Sequence, residues 1–382
     1  MDLKGLILFY GIIIVTTFIL FIGIALNINN LNYAGVIYGV RVPNKYRKDI
    51  KIENIDKEYK KKSVIYILIL TIIFSFLIFK FQKVFISILY IFIMIFLQFY
   101  LYSKANKEMK KVKEETGWKK EFENKKYIEI KNLDKKDYDN KIDMKWFIIA
   151  FLIAILSLII TIVRLKSLPD LVPVHFNFNG DVDRYADIRT LGGKIEIFLI
   201  PIISIFTISI MYICTFIDYK KRKNIKLNGG TYEQIKEIEN TSFKSTNSMM
   251  SGISIFIAVL MLCITFIITG IIKSTKLGFN ITMIITVIMT IYIIIYTIYL
   301  MSQNKNINKD YNSKSPEYYI DDDDEFKWGI FYYNPKDKSI LSRKRMGIGY
   351  DFNYGNEKAI IIVILLSFIL ISSLVMTIIL GV

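Results

Sequence analysis

The stretch Ser63-Val64-Ile65-Tyr66-Ile67-Leu68-Ile69-Leu70-Thr71-Ile72-Ile73-Phe74-Ser75-Phe76-Leu77-Ile78-Phe79-Lys80 decides the fold. After Phe81-Gln82-Lys83 a second apolar run fills residues 84–102. Ile and Phe, which dominate both runs, are poor helix formers in water. In hydrocarbon that preference loses, because a helix is the one single-segment structure that satisfies its own backbone N–H and C=O groups. Read as one segment, 63–102 is too long for a bilayer; Lys80, Gln82 and Lys83 divide it into a tight pair of membrane helices.

Six further runs share this character. Spans are expected near 5–26, 63–80, 84–102, 146–166, 194–217, 251–272, 280–301 and 358–380. The chain of 382 residues is 53% hydrophobic and 14% aromatic, a composition that excludes a disordered protein, and the separate long runs exclude one soluble core. The fold class expected is therefore an all-α polytopic membrane protein of about eight transmembrane helices, with a small extracellular loop hairpin and a small cytoplasmic β-hairpin. The first run follows Lys4, as a signal peptide would. It is too long for a signal-peptide core, and Asn27–Asn30 offers no small-residue cleavage pattern, so a retained helix is expected.

The formal net charge of +16 raises the question of nucleic acid. Position answers it. Residues 27–62, 103–145, 218–250 and 302–357 hold thirty-nine Lys and Arg, whereas the alternate loops and termini hold seven. That asymmetry orients the chain with both termini outside and the four basic loops in the cytoplasm, facing anionic headgroups. No nucleic-acid partner is expected. Cys214 and Cys263 both lie inside apolar runs, which excludes a disulfide framework and a cysteine zinc site.

Five regions follow: a three-helix part over 1–145, a helix pair with its extracellular loop 167–193 over 146–217, two helices and a preceding cytoplasmic loop over 218–301, an aromatic and Gly-rich cytoplasmic hairpin domain over 302–357, and a final helix over 358–382. Residues 103–115 have helix-forming composition and should extend the third helix past the bilayer. Residues 231–250 should form a short amphipathic helix, with Thr231 and Gln234 at the spacing of a capping box.

Three segments carry more than spacing. In the loop 167–193, Pro169 and Pro173 hold an extended start. Val174, Phe176 and Phe178 alternate with His175 and Asn177, and Asn179-Gly180 signals a turn. A hairpin results, whose His175, Asn177, Asp181 and Asp183 serve either as a structural hydrogen-bonded loop or as a cation or peptide site. One histidine with nearby carboxylates is too few ligands for a metal, and none is expected. The second segment is Tyr38-Gly39-Val40-Arg41-Val42-Pro43. Arg41 there either clamps a phosphate, a carboxylate or a lipid headgroup, or bonds helix-end carbonyls. The third runs from Phe326-Lys327-Trp328-Gly329 through Asn334-Pro335-Lys336-Asp337 to Arg343-Lys344-Arg345 and reads as an aromatic hairpin with a type I turn. The acidic run Asp321–Glu325 before it lacks the glycine spacing of a calcium loop and is expected to be solvated, facing Arg343–Arg345.

The string Leu168-Pro169, Val172-Pro173, His175-Phe176-Asn177, Gly180, Asp183, Tyr185 resembles the loop of a bacterial membrane family of unknown function shared with SdpI-type immunity proteins. Where that pattern carries a Lys, this chain has Ile188-Arg189. Gly39-Val40-Arg41-Val42-Pro43 resembles a cytoplasmic element of the same proteins. Trp328-Gly329 through Asn334-Pro335 and Asp337 resembles a small domain of unknown function attached to such membrane proteins. The resemblance implies an extracellular ligand site at His175, Asn177, Gly180, Asp183 and Tyr185. It also implies a cytoplasmic motif of Gly39, Arg41, Pro43, Trp328, Asn334, Asp337 and Arg345.

No metalloprotease helix, phosphate loop or nucleophile elbow occurs in the sequence, so neither an enzyme nor a cofactor is expected. Asp218 and Arg164 sit only at span edges, which speaks against an ion-coupled transporter. The expected function is that of a non-enzymatic sensor or immunity-like protein, meeting a secreted peptide or envelope ligand outside and a regulatory protein inside. The alternative is a small-solute or lipid transporter.

Overall fold

The computed structural model describes residues 3–32, 35–122, 128–130, 142–177, 180–221, 225–227, 232–314, 321–347 and 350–379. Among these residues eight long helices are found: α1 (Leu3–Leu31), α2 (Ile50–Phe81), α3 (Val84–Thr116), α4 (Met144–Arg164), α5 (Leu191–Lys221), α6 (Tyr232–Ile268), α7 (Thr275–Lys314) and α8 (Glu357–Ile379). Among the described residues, seven of them, α1 to α7, have the length and hydropathy to cross a membrane. The eighth, α8, occupies the eighth expected span over 23 residues. The protein is an all-α, multi-pass membrane protein.

Several helices outrun their spans. α2 starts at Ile50 because Asp49 caps it, its carboxylate accepting from Lys51 N at 2.8 Å, and Lys57–Glu53 and Lys60–Asp56 pairs support the polar first turns. α3 continues to Thr116, where Gly117 turns left-handed at φ +70° and ends it. The short helix expected over 231–250 is instead the first part of an unbroken α6. Its capping residue Thr231 lies outside the described residues, as do Phe178 and Asn179 of the outer loop.

The chain forms two compact units. One comprises residues 1–9, 134–223 and 243–297. Its helices pack through small residues: Ala150 and Ala154 of α4 and Ala258 of α6 meet Ile208 of α5, all fully buried with Phe147. Short side chains let helix backbones approach closely where no hydrophobic effect drives them together. Hydroxyls supply the remaining adhesion: Ser157 Oγ lies 2.6 Å from Thr265 Oγ1, joining α4 to α6. Strands β4 (Leu171–Phe176) and β5 (Val182–Asp187) form the expected antiparallel hairpin. It is seated by Val172 and Ile188 against Ile197 of α5 and Ile268 of α6.

The second unit comprises residues 10–133, 224–242 and 298–382. α2 and α3 form the helical pair, tied by Tyr59 OH donating to Gln98 Oε1 at 2.8 Å and by Thr71 Oγ1 and Tyr90 OH at 2.9 Å. Among the described residues, four two-stranded pieces belong to this unit. β1 (Val36–Ile37) pairs with β2 (Val40–Arg41), and β3 (Ile128–Ile130) with β6 (Ile225–Leu227). β7 (Phe326–Lys327) pairs with β8 (Phe331–Tyr332), and β9 (Leu341–Arg343) with β10 (Tyr350–Phe352). The single hairpin expected over 326–356 is thus two, because Trp328 (φ +51°) and Gly329 (φ +76°) already close a turn after Lys327.

At the β5–α5 junction a Cβ on Gly193 would stand 2.0 Å from the Asp187 carbonyl oxygen, backbone that cannot swing away. Gly193→Ala should cost about 1–3 kcal/mol, read as a lower melting temperature of the purified protein in detergent.

Candidate functional site

In the β4–β5 hairpin, register shifts on either side of His175 place it opposite Arg184 and beside Asp183. His175 Nδ1 lies 2.6 Å from Asp183 Oδ1, and the two side chains are 34% and 43% exposed. Tyr185, opposite Pro173, is 53% exposed, and Leu171 on the same face is as open. Asn177 and Gly180 do a different job. Asn177 N–H donates to the Asp181 carbonyl at 2.9 Å, its Oδ1 accepts from Asp181 N at 3.0 Å, and Gly180 turns at φ +76°. They build the turn, and the His175–Asp183 pair is presented by it.

The cation expected near position 188 is Arg189, which folds back on the loop. It donates to both carboxylate oxygens of Asp187, at 2.8 and 2.7 Å, and approaches Asp170 at 3.6 Å. These hydrogen bonds hold the Asp187 carboxyl at about 2, below its ordinary value. Arg184 pairs with Glu196, and Lys276 with Asp181 at 3.3 Å. The hairpin is therefore braced by charge at its base and at its turn, while its outer face carries His175, Asp183 and Tyr185.

The other motif residues come together in the second unit, from positions some 300 apart in sequence. Tyr38 (φ +48°) and Gly39 (φ +73°) make the tight turn between β1 and β2. Gly39 lies against Gly329 so closely that a Cβ on it would fall 2.4 Å from the Gly329 Cα. A Cβ on Gly329 would in turn meet Asn106 Nδ2 at 2.5 Å. Two glycines are needed because two turns touch backbone to backbone.

Around this contact lies a buried ionic cluster. Arg41 Nε and Nη2 donate to the two Asp322 carboxylate oxygens at 2.6 and 3.0 Å, a bidentate pair. Arg41 backbone N–H donates to Asp323, which also accepts from Arg345 Nη1 at 2.7 Å and Lys113 Nζ at 2.6 Å. Arg345 reaches Asp322 with its other nitrogen and the Gly39 carbonyl at 2.6 Å, and stacks over the Phe326 ring at 4.2 Å. Lys113 also binds Asp321 at 2.6 Å. Three cations thus face three carboxylates, with Arg345, Asp323 and Lys113 at most 6% exposed in their side chains.

Burial pushes the Asp322 carboxyl up, but the Arg41 and Arg345 charges and the Arg41 hydrogen bond outweigh it and hold it well below the usual carboxylate range. The acidic run does face Arg345, as expected, but it is solvated only at Asp324: Asp321, Asp322 and Asp323 act as counter-ions in the cluster, and buried carboxylates are kept there because each is matched by a cation. The open question about Arg41 also has an answer, since its partner is a carboxylate of its own chain.

Pro43 precedes the short 3₁₀ turn Asn44–Tyr46 and its carbonyl accepts from Tyr46 N at 3.0 Å. Trp328 is 57% exposed and meets Phe99 edge-on at 5.8 Å. Asn334 and Asp337 stay within their subdomain: Asn334 Nδ2 donates to Glu325 Oε1 at 3.1 Å, and Asp337 Oδ2 accepts from Tyr332 OH at 3.0 Å. Their centre is Asn353, fully buried, whose Nδ2 donates to the carbonyls of Asn334, Asp337 and Ser339.

Sequence reasoning passed over Asn353, Lys113 and Asn106. Lys113 is one lysine in a Lys-rich helix end, and nothing local separates it from its neighbours. Asn106 holds the β1–β2 turn through the Tyr38 carbonyl at 2.7 Å. Tyr38 OH donates to Asp56 at 2.8 Å, and burial raises its phenol above the ordinary value, with Asp56 adding to the shift.

Two family models match the chain. A domain of unknown function, DUF1648, covers residues 152–205, which include the β4–β5 hairpin and parts of α4 and α5. A family of unknown function, DUF5808, covers residues 335–360, which include Arg345 and Asn353. No curated protein and no solved structure matches. The matches and the helices agree on a membrane protein built with domains of unknown function.

Arg345→Ala leaves Asp322 and Asp323 without their shared cation and should cost about 3–5 kcal/mol, seen as a large fall in melting temperature. The Asp322 carboxyl is lower in the folded state than in the unfolded one, so its stabilisation is complete above about pH 5 and is lost as acid protonates it. Thermal melts between pH 7 and pH 3 should show that fall, and Asp322→Asn should flatten it.

Proposed function

We propose that this protein is a non-enzymatic membrane sensor or immunity-like protein. Its β4–β5 hairpin engages a secreted peptide or envelope ligand outside the cell. The observation that carries this reading is the hairpin's outer face. His175 and Asp183 form a half-exposed pair at 2.6 Å beside an exposed Tyr185, while separate residues hold the hairpin in place. Aromatic and ionic side chains displayed on a braced element, and unused by its own core, suit recognition.

The distribution of Lys and Arg supports an extracellular position for the hairpin and a cytoplasmic one for the Arg41–Asp322–Arg345 cluster. The likeness of the 168–185 string to the SdpI-type loop supports an immunity-like role. On the inner side, exposed Trp328 next to the ionic cluster offers a regulatory protein a surface whose shape depends on that cluster.

Bacterial cells carrying the wild-type chain should survive secreted peptide toxins better than cells lacking it. His175→Ala, Asp183→Ala and Tyr185→Ala chains should lose that tolerance at unchanged membrane levels. Equal tolerance in all strains removes this reading; solute or lipid movement in vesicles containing the purified protein would replace it with a transporter.

A further inference from the structure

The polar ends of α2 and α3 leave a groove between them that the ionic cluster does not use. Its floor is Tyr59, Leu101 and Ala105, which are 3%, 4% and 5% exposed. Its rim is charged, with Glu58 and Lys62 on α2 and Lys104 and Glu108 on α3. Lys62 binds Glu58, one turn earlier on its own helix. Lys104 reaches in from α3, at hydrogen-bonding reach of the Lys62 nitrogen and close enough to act on the Glu58 charge. Glu108 is engaged by Lys111 at 3.2 Å. Two ammonium groups therefore share one carboxylate, and one positive charge is left over. Like charges held this close repel unless an anion joins them.

The groove lies where both apolar runs stop: Lys62 comes one residue before the run 63–80, and Lys104 two residues after the run 84–102. That is the level of lipid headgroups. Below Lys62 the same face of α2 continues through Tyr66, Ile69 and Ile73, which are 42%, 47% and 47% exposed. One turn deeper on α3, Gln98 Oε1 accepts from the lining Tyr59 OH at 2.8 Å, and Gln98 Nε2 is buried without a hydrogen-bond partner among the described residues. A cationic rim, an apolar track below it and a spare amide donor beside the floor match the three parts of a phospholipid: phosphodiester, acyl chain and ester oxygens.

We propose that this groove binds one anionic phospholipid, its phosphodiester between Lys62 and Lys104 and an acyl chain along Tyr66, Ile69 and Ile73. The charge count selects the headgroup. A phosphodiester anion neutralises the surplus charge, whereas a headgroup with its own ammonium would bring a third cation to a single carboxylate. The site is independent of the outer hairpin and of the role proposed for it.

The test titrates phospholipids into purified full-length protein in a non-ionic detergent and follows its melting temperature. Phosphatidylglycerol should give a saturable rise that phosphatidylcholine and phosphatidylethanolamine do not match. Lys62→Ala combined with Lys104→Ala should lose the rise, and each alone should weaken its midpoint about fivefold. Lys61→Ala combined with Lys107→Ala removes the same charge about 100° round each helix from Lys62 and Glu108, and should keep the rise. Glu58→Gln should strengthen the response, an effect that damage to the fold would not produce. Should the groove double variant fail to fold, Lys62→Gln and Glu58→Gln decide the matter by moving the midpoint in opposite directions. Equal rises with all three lipids, a rise with phosphatidylethanolamine alone, an equal response to inorganic phosphate, or an equal loss in both double variants overturns the proposal.

Discussion

The Asp323 carboxylate cannot be buried alone, and much of the second unit follows from that constraint. It takes Lys113 from α3, Arg345 from the C-terminal subdomain and the backbone N–H of Arg41 from the β2 strand to neutralise and bond it. Those groups lie on segments separated by up to about 300 residues, so the cluster exists only when all the segments are in place. Its net charge is zero, which allows it to sit out of water; removing any one member leaves an opposite charge stranded. The touching glycines Gly39 and Gly329 belong to the same constraint, because bulkier turns would hold the carboxylates away from the cations.

The first unit solves a different problem. Its helices have little charge with which to choose partners, and apolar surface alone does not distinguish a helix from lipid. Alanines at the α4–α5–α6 contact allow close approach, and hydroxyls such as Ser157 and Thr265 give the contact direction. The β4–β5 hairpin rests on this scaffold through Val172, Ala186 and Ile188, each at most 8% exposed, which leaves its other face open. The half-exposed His175–Asp183 pair is thus presented by a hairpin seated on its helices.

Much of this was legible in the sequence. Apolar runs gave the helices, Asn179-Gly180 and the alternation around His175 gave the hairpin, and Gly39 marked a turn or close backbone approach. The polar extension of α3 past its span was legible in its helix-forming composition, whereas those of α2, α6 and α7 were less so, because nothing in an apolar pattern marks where such a helix ends. Within the acidic run 321–325, the burial of Asp321, Asp322 and Asp323 was not legible, because five acidic residues in a row look like surface and only their partners show otherwise. Asp218 reads as a span edge in the sequence, and it is buried at 4% exposure.

The sequence by itself determined the solvent of this protein, the number of its helices and the expected orientation, because those depend on local composition and on which loops hold the charge. The tertiary structure alone decided that Arg41, Lys113, Asp322, Asp323 and Arg345 are one cluster, and that Asp218 is buried at 4% exposure. The reason is physical: hydrophobic runs are read by the bilayer one segment at a time, whereas the burial of a charge is settled by groups that only folding brings together.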